Sequence, residues 1–275
     1  MDAEWIAFTA GLKPAIRRTA DPADLDRVEA QLRATGAVVL RAAQTALLGA
    51  REQGVLYVAR TAAHAAALRG AEEGVLPGRG GAGDPRASHR EVGRLLGFPA
   101  CCVEAFLARL DRGVDRLAEG GPTGLAEDYV AARGAWVPAA DARVNPLLMP
   151  VRAQLVSFYP CRYDCPAAVA LAEALRASLA ALGAKTAASL MALLSRPVAI
   201  ASDGARALLA LDESGAVVAR AAAPRRSDGV SDPRDASLAA SLTGARVAVG
   251  GALDRAGPAG LPVWCVDFGA RALPA

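Results

Sequence analysis

The hydrophobic pattern of the first 85 residues predicts alternating helices and strands. Helical periodicity runs from Asp21 to Arg33, with Asp21 as the expected cap and Pro22 at the first helical position. Three further apolar stretches predict two strands and a helix, at 36–40, 54–58 and 61–74. Residues 1–85 are therefore expected to form an N-terminal α/β segment.

Helical patterns dominate the middle of the chain, residues 86–195. Ser88 and Glu91 fit a capping box, which predicts that a helix begins at Ser88. Pro99 is expected to begin the next helix, because proline is favoured in a first turn. Further helices are predicted at 151–159, 166–182 and 185–194.

From residue 196 the pattern changes to short apolar runs separated by polar turns. These runs predict strands at 197–201, 207–211, 216–219, 246–249 and 261–266. The sequence therefore predicts an α+β fold. It would have a mainly helical core at 86–195, an N-terminal α/β segment at 1–85 and a small β-rich C-terminal unit at 196–275.

Four of the five cysteines lie in two short elements of the helical core. Cys101 and Cys102 are adjacent, whereas Cys161 and Cys165 are separated by three residues. Each pair follows a proline and opens an apolar helical stretch. The positive end of a helix dipole stabilises an anionic thiolate, which is the form that binds metals. If the two elements converge, they form a site for a metal ion or an iron–sulfur cluster.

The spacing of the cysteines bears on which metal group they would hold. Cys161 and Cys165 fit the spacing of a zinc knuckle. Cys101 and Cys102 do not, because neighbouring side chains on a helix diverge by about 100°. A cubane presents several irons, so two adjacent thiolates can reach different corners. The adjacent pair therefore favours a [4Fe-4S] cluster held by three or four cysteines, with Zn²⁺ as the alternative. Cys265, in a predicted strand, is expected to pack in a core.

Charge and hydropathy indicate the expected partners and the cellular compartment. The net charge of +3 is small and the arginines are dispersed, which argues against nucleic-acid binding. No apolar run reaches the roughly 18 residues of a membrane span, and the first residues lack the pattern of a secretory signal. A cytoplasmic protein without a membrane partner is therefore expected. In a reducing cytosol, free or metal-bound cysteines are more common than disulfides.

The cysteine elements resemble those of a prokaryotic family of uncharacterised proteins. The relevant stretches are Leu95-Leu-Gly-Phe-Pro-Ala-Cys-Cys-Val-Glu-Ala-Phe106 and Pro160-Cys-Arg-Tyr-Asp-Cys165. Members of that family carry a Leu-Gly-Tyr-Pro-x-Cys-Cys element, then a Pro-Cys-x-x-x-Cys element and a short β-rich tail. The resemblance implies an iron–sulfur protein, but no particular reaction. The chain departs from the family at Tyr159 and Arg162, where members often carry a histidine and a small residue.

Three ionisable residues near the cysteines are candidate catalytic groups. His89 would donate a proton or bind the metal, and the alternative is a solvated residue in a first helical turn. Glu104 would act as a general base, and the alternative is a charge on the helix surface. Asp164 would contact substrate, and the alternative is stabilisation of its own turn.

Three further residues are candidates for contacts with the cofactor. Tyr159 and Tyr163 flank Cys161 and would shield a cluster from water, which tunes its potential. Asn145, before Pro146, would anchor a loop that faces the site.

These residues leave three hypotheses open. The first is an iron–sulfur enzyme that performs redox, Lewis-acid or sulfur-transfer chemistry on a small molecule, or exchanges electrons with a redox partner protein. The second is a non-catalytic accessory protein stabilised by zinc. The third is a metal-free thiol enzyme with Cys101 or Cys102 as nucleophile. The sequence sets neither the substrate nor the oligomeric state.

Overall fold

The chain divides into two compact units, Met1–Ala108 and Arg109–Ala275. The computed structural model describes residues 3–43, 45–48, 51–75, 84–111, 140–148, 153–201, 205–211, 216–222, 233–246, 254, 257, 263–266 and 268. These residues form eight α-helices and two small antiparallel sheets, which confirms the expected α+β class. The three-segment division at residues 85 and 195 stays a prediction.

The elements between Ala3 and Asp111 build the first sheet and its helices. The helices are α1 (Ala3–Thr9), α2 (Leu25–Ala34), α3 (Ala62–Val75), α4 (Pro85–Leu95) and α5 (Ala100–Asp111). The strands are β1 (Ala15–Ala20), β2 (Val38–Arg41), β3 (Ala46–Leu48) and β4 (Arg51–Ala59). Strand β4 pairs with all three others, and every pairing is antiparallel.

Helices pack on both faces of this sheet. Side chains of a strand point to opposite faces in turn. On one face Leu56 and Val58 join a buried cluster with Phe8 of α1 and Leu32 of α2. The buried cluster on the other face contains residues of β4, α3 and the end of α4: Val55, Tyr57, Leu68, Leu95 and Leu96. The helix that leads to the first cysteine pair is thus fixed to the sheet.

Helix α4 begins three residues before the predicted start, so the capping box at Ser88 is wrong. Asp84 is the N-cap, its side chain accepts a hydrogen bond from the backbone N–H of Arg86, and Pro85 takes the first helical position. Ser88 instead packs against α3. A Cβ added at Gly74 would lie 2.6 Å from the Ser88 hydroxyl oxygen.

The second unit contains a helical hairpin and the second sheet. Its helices are α6 (Pro166–Leu182), α7 (Ala184–Leu194) and α8 (Pro233–Ser241). Its strands are β5 (Val198–Ala201), β6 (Arg206–Leu211), β7 (Val217–Ala222) and β8 (Val263–Val266), in the order β7-β6-β5-β8. Helix α8, which the sequence did not predict, packs on β6 and β7. Cys265 is 3% exposed in the core of this sheet.

Three predictions for this unit have different outcomes. The predicted bounds of α6 are confirmed. The helix predicted at 151–159 is wrong, because residues 153–159 have no regular secondary structure and 151–152 lie outside the described residues. Leu155, Val156 and Phe158 are nevertheless buried. Their apolar spacing therefore reflects core packing by an irregular segment, which a short periodic pattern cannot distinguish from a helix. Of the strand predicted at 246–249, Arg246 makes an isolated bridge and 247–249 lie outside the described residues.

Candidate metal centre

The turn that leads to the first cysteine pair is a Schellman motif at the end of α4. The backbone N–H of Phe98 donates to the carbonyl of Gly93, and that of Gly97 donates to the carbonyl of Arg94. Gly97 has a φ of 71°, a left-handed conformation that favours glycine. The motif therefore fixes the direction in which the chain enters α5.

Cys101 and Cys102 lie in the first turn of α5. Pro99 precedes the helix, and its carbonyl accepts hydrogen bonds from the backbone N–H groups of Cys102 and Val103. Val103 packs so closely on α4 that a Cβ added at Gly93 would clash with one of its methyl carbons. The backbone of both cysteines is thus held by a regular helix packed on its predecessor.

A buried lysine supports the same turn. The side chain of Lys13 packs beneath Gly97, where an added Cβ would lie 3.1 Å from its Cγ. Its ammonium lies 5.0 Å from the centroid of the Phe98 ring and 2.6 Å from Oε1 of Glu4. Burial lowers the pKa of Lys13, and the charge and hydrogen bond of Glu4 oppose that shift. Lys13 therefore joins the N-terminal helix to the turn before the cysteines.

The second cysteine pair lies in an irregular loop that ends at α6. Cys165 is the N-cap of this helix and Pro166 occupies its first position, as the sequence predicts. The backbone N–H of Cys165 donates to the carbonyl of Arg162. Between the two cysteines, the side chains of Arg162 and Asp164 form an ion pair at 3.1 Å, with both groups largely in water.

Contacts from outside the loop hold it in place. The carbonyl of Tyr163 accepts a hydrogen bond of 2.9 Å from the backbone N–H of Asp141. The ring of Tyr163 is buried and meets the ring of Phe268 edge to face, with 5.3 Å between centroids. The loop therefore depends on residues more than 20 and more than 100 positions away in the chain.

Asp141 is itself held by an ion network that reaches α6. Arg143 donates from Nε and Nη2 to the two carboxylate oxygens of Asp141, at 2.9 and 2.6 Å, and from Nη1 to Glu173. Burial raises the pKa of Asp141, but the hydrogen bonds from Arg143 outweigh it, so that the net shift is downward. Glu173 is also bound by Arg176, and these hydrogen bonds lower the pKa of Glu173 to about 2.

The two elements converge on one group of thiols. The sulfur atoms of Cys101, Cys102, Cys161 and Cys165 all lie within 4.8 Å of one another. Cys102 and Cys165 are buried, Cys161 is half-buried and Cys101 is exposed. Four convergent sulfur donors are a set that can hold a metal. The expectation that the four cysteines come together is thus confirmed.

The adjacent cysteines do not diverge as the sequence argument assumed. The sulfur atoms of Cys101 and Cys102 lie 4.0 Å apart. A tetrahedral ion with metal–sulfur bonds of about 2.3 Å separates its sulfur ligands by about 3.8 Å. The adjacent pair is therefore compatible with a single ion, and the spacing of Cys101 and Cys102 does not disfavour zinc.

Backbone dipoles favour negative charge at this group. Cys101 and Cys102 lie at the N-terminal end of α5, and Cys165 caps the N-terminus of α6, a helix of 17 residues. The positive end of a helix dipole stabilises nearby anions by about 0.3–1 kcal/mol at exposed positions. Two such ends offset part of the charge of four thiolates, although the metal–sulfur bonds would hold the site.

The candidate catalytic residues Glu104 and His89 both make contacts within α4 and α5. Glu104 accepts from Nε and Nη2 of Arg90 at 2.6 and 3.0 Å on the surface, and these hydrogen bonds lower the pKa of Glu104. His89 is half-buried and meets the ring of Phe106 edge to face, and burial lowers its pKa. Their catalytic roles stay predictions, as does that of Asp164.

The three residues that were predicted to contact a cofactor lie in different surroundings. The side-chain amide of Asn145 donates to the carbonyl of Leu194 and accepts from the backbone N–H of Leu147, which anchors its own segment. Tyr163 is buried in the ligand loop, and Tyr159 is half-buried beside Pro160. A contact of any of the three with a cofactor stays a prediction.

The residues that position the cysteines from a distance were not among the predicted site residues. Lys13 carried a weak signal, because it is one of only two lysines in an arginine-rich chain. Asp141 and Arg143 carried none, since charged residues two apart in an irregular segment are usually solvated.

Comparisons with known proteins identify no relative. No protein-family model, no curated protein and no solved structure matches the chain significantly. The family resemblance of the cysteine elements therefore stays a prediction. Among the described residues, no helix combines the length and the hydropathy that crossing a membrane requires.

Proposed function

We propose that the protein binds one metal centre through the thiolates of Cys101, Cys102, Cys161 and Cys165, and that this centre is a tetrahedral zinc ion. The observation that carries the proposal is the separation of at most 4.8 Å between any two of the four sulfur atoms. That separation is close to the roughly 3.8 Å expected for sulfur ligands of one tetrahedral zinc.

The number of donors supports a structural role. Four thiolates occupy all four positions of a tetrahedral zinc, which is typical of structural sites, whereas catalytic sites keep one position open. The ligands come from two elements separated by about 60 residues, so that the ion would join distant parts of the chain. The proposed function is that of an accessory protein in which zinc holds the two cysteine elements together.

A [4Fe-4S] cluster is the second candidate, and the exposure of Cys101 favours it. A cluster with a solvent-facing corner could exchange electrons with a partner or act on a small molecule by redox, Lewis-acid or sulfur-transfer chemistry. Its thiolates bind different irons and so lie farther apart than those of a single ion. The sulfur separations therefore support zinc more directly than a cluster.

Metal and sulfide analysis of anaerobically purified protein tests the proposal. We expect one zinc per chain, a colourless protein and no acid-labile sulfide. Cys102→Ser, Cys161→Ser and Cys165→Ser should each lose the zinc, while the matched control Cys265→Ser, whose thiol lies in the second sheet, should keep it. Retention of the metal by any of those three variants would contradict the proposed ligand set. A brown wild-type protein that contains iron and sulfide would show that the bound group is the cluster and not zinc.

A further inference from the structure

The four cysteines of the centre differ in how much of each residue is exposed to water. Cys102 and Cys165 are each 2% exposed and Cys161 is half-buried, whereas Cys101 is exposed. A dissolved reagent therefore meets the sulfur of Cys101 before any other sulfur of the group. We infer that Cys101 is the ligand at which disulfides and other thiol-reactive compounds attack the centre, so that the thiol redox state of the surroundings controls metal release. This inference rests on the proposed function.

The position of Cys101 on α5 explains its exposure. Cys102 is the next residue, about 100° further around the helix, and it is buried. The first turn thus contains one buried cysteine and one exposed cysteine. Both sulfur atoms still belong to the same group, 4.0 Å apart. Modification of the outer thiol would therefore change the coordination of a metal bound by the inner ones.

The charges along this face of α5 admit an anionic reagent. Glu104 lies three residues after Cys101, so that its carboxylate is the next side chain on the same helix face. Its two oxygens are bound by the guanidinium of Arg90 at 2.6 and 3.0 Å. The negative charge nearest along the helix surface is therefore compensated, and oxidised glutathione would not meet an isolated carboxylate there.

The proposed reaction is a thiol–disulfide exchange. The thiolate of Cys101 attacks one sulfur of oxidised glutathione, the S–S bond of glutathione breaks, and one glutathione leaves as a thiolate. A new S–S bond joins Cys101 to the other glutathione. The bound sulfur no longer carries the negative charge that binds the metal, so that three thiolates remain as ligands. A thiol reductant reverses the exchange and restores the fourth ligand.

The test treats the zinc-loaded full chain with oxidised glutathione or N-ethylmaleimide, follows zinc with a chromogenic chelator, and maps the modified cysteine by mass spectrometry. We expect Cys101 to react first, at least about tenfold faster than the other three ligands, since reactivity follows accessibility. Zinc release should follow this modification in time, and dithiothreitol should reverse the release caused by glutathione.

Two variants keep the inference falsifiable. Cys101→His replaces the thiol by a nitrogen ligand that forms no disulfide, so that this variant should bind zinc more weakly than the wild type and should lose the fast phase of release. Cys265→Ser should release zinc as the wild type does. First reaction at Cys102, Cys161 or Cys165, or retention of zinc after Cys101 is fully modified, would overturn the inference while leaving the proposed function intact. A wild-type chain that binds no zinc would overturn both.

Discussion

The two cysteine elements are held in place by different means. The first pair lies inside a regular helix, and its position follows from the Schellman motif at Gly97 and from the close packing of Gly93 against Val103. The second pair lies in a loop without regular structure. The position of that loop depends on the backbone of Asp141 and on the ring of Phe268.

This difference indicates how the two elements should behave before metal binds. A helix end with its hydrogen bonds satisfied needs few outside contacts, so we expect Cys101 and Cys102 to be preorganised. The loop from Pro160 to Cys165 has no regular secondary structure, so its order should depend on side-chain packing and on the metal. Changes around the loop should therefore affect metal retention more than changes of equal size around the helix end.

The largest effect is expected for Tyr163→Ala, which removes the buried ring of the ligand loop. Aromatic-to-alanine changes at buried positions cost about 3–5 kcal/mol, and here the edge-to-face contact with Phe268 is lost as well. Since about 1.4 kcal/mol corresponds to a tenfold change in affinity, zinc affinity should fall at least tenfold. Competition with a chelator of known affinity measures it.

The matched control for that change is Tyr163→Phe, which keeps the ring and its contact with Phe268. We expect its zinc affinity to lie much closer to the wild-type value than that of Tyr163→Ala. If Tyr163→Ala binds zinc as tightly as the wild type, the loop does not depend on this packing, and the contrast between the two elements fails.

A medium effect is expected for Gly97→Ala at the helix end. A non-glycine residue in the left-handed region costs about 1–2 kcal/mol, and an added Cβ would also lie 3.1 Å from Cγ of Lys13. Gly36→Ala is the matched control, because Gly36 has a φ of 85° but no atom within 4 Å of an added Cβ. Gly97→Ala should therefore lower the free energy of unfolding more than Gly36→Ala.

Chemical denaturation of both variants, followed by chelator competition, checks this expectation. Only Gly97→Ala should weaken zinc binding, and by less than Tyr163→Ala does. Equal destabilisation by the two changes would mean that the side chain of Lys13 absorbs the crowding. The packing of Lys13 against Gly97 would then not be what stabilises the turn.

Local signals explain what could be predicted from the sequence. The proline after Cys165 and the apolar run that follows predicted the bounds of α6, because a first-turn proline acts within a few residues. The glycine–phenylalanine–proline sequence before Cys101 likewise placed a helix end and a helix start. At α4 two local signals competed. Asp84 and Pro85 prevailed over Ser88, whose hydroxyl packs against α3.

Long-range contacts explain what the sequence could not provide. The hydrogen bond from Asp141 to the ligand loop spans more than 20 residues, and the Lys13–Phe98 contact spans 85. Such long-range pairs produce no periodic pattern in a single sequence. The segment after Pro150 shows the same limit, since its buried apolar residues follow the needs of the core and not of a helix. Convergence of the four thiols was expected from chemistry, whereas their separations required the fold.

The smallest effect is expected for Glu173→Gln, which weakens the ion network behind the loop. The matched control is Glu91→Gln, because Glu91 pairs with Arg94 three residues later, as Glu173 pairs with Arg176. Both pairs are largely exposed, so each change should cost about 1 kcal/mol or less. Only Glu173 also binds Arg143, which holds Asp141. At neutral pH, Glu173→Gln should therefore speed zinc dissociation modestly and Glu91→Gln should not.

The pH dependence of stability tests whether the charge of Glu173 contributes to this network. The pKa of Glu173 is lowered to about 2 in the folded chain, against about 4.3 in an unfolded chain. Its contribution to stability is thus fully present above about pH 4.3 and is lost as the pH falls toward 2. In metal-free protein, the difference in unfolding free energy between wild type and Glu173→Gln should shrink across this range. A difference that stays constant down to about pH 2 would mean that the charge of Glu173 does not stabilise the folded chain.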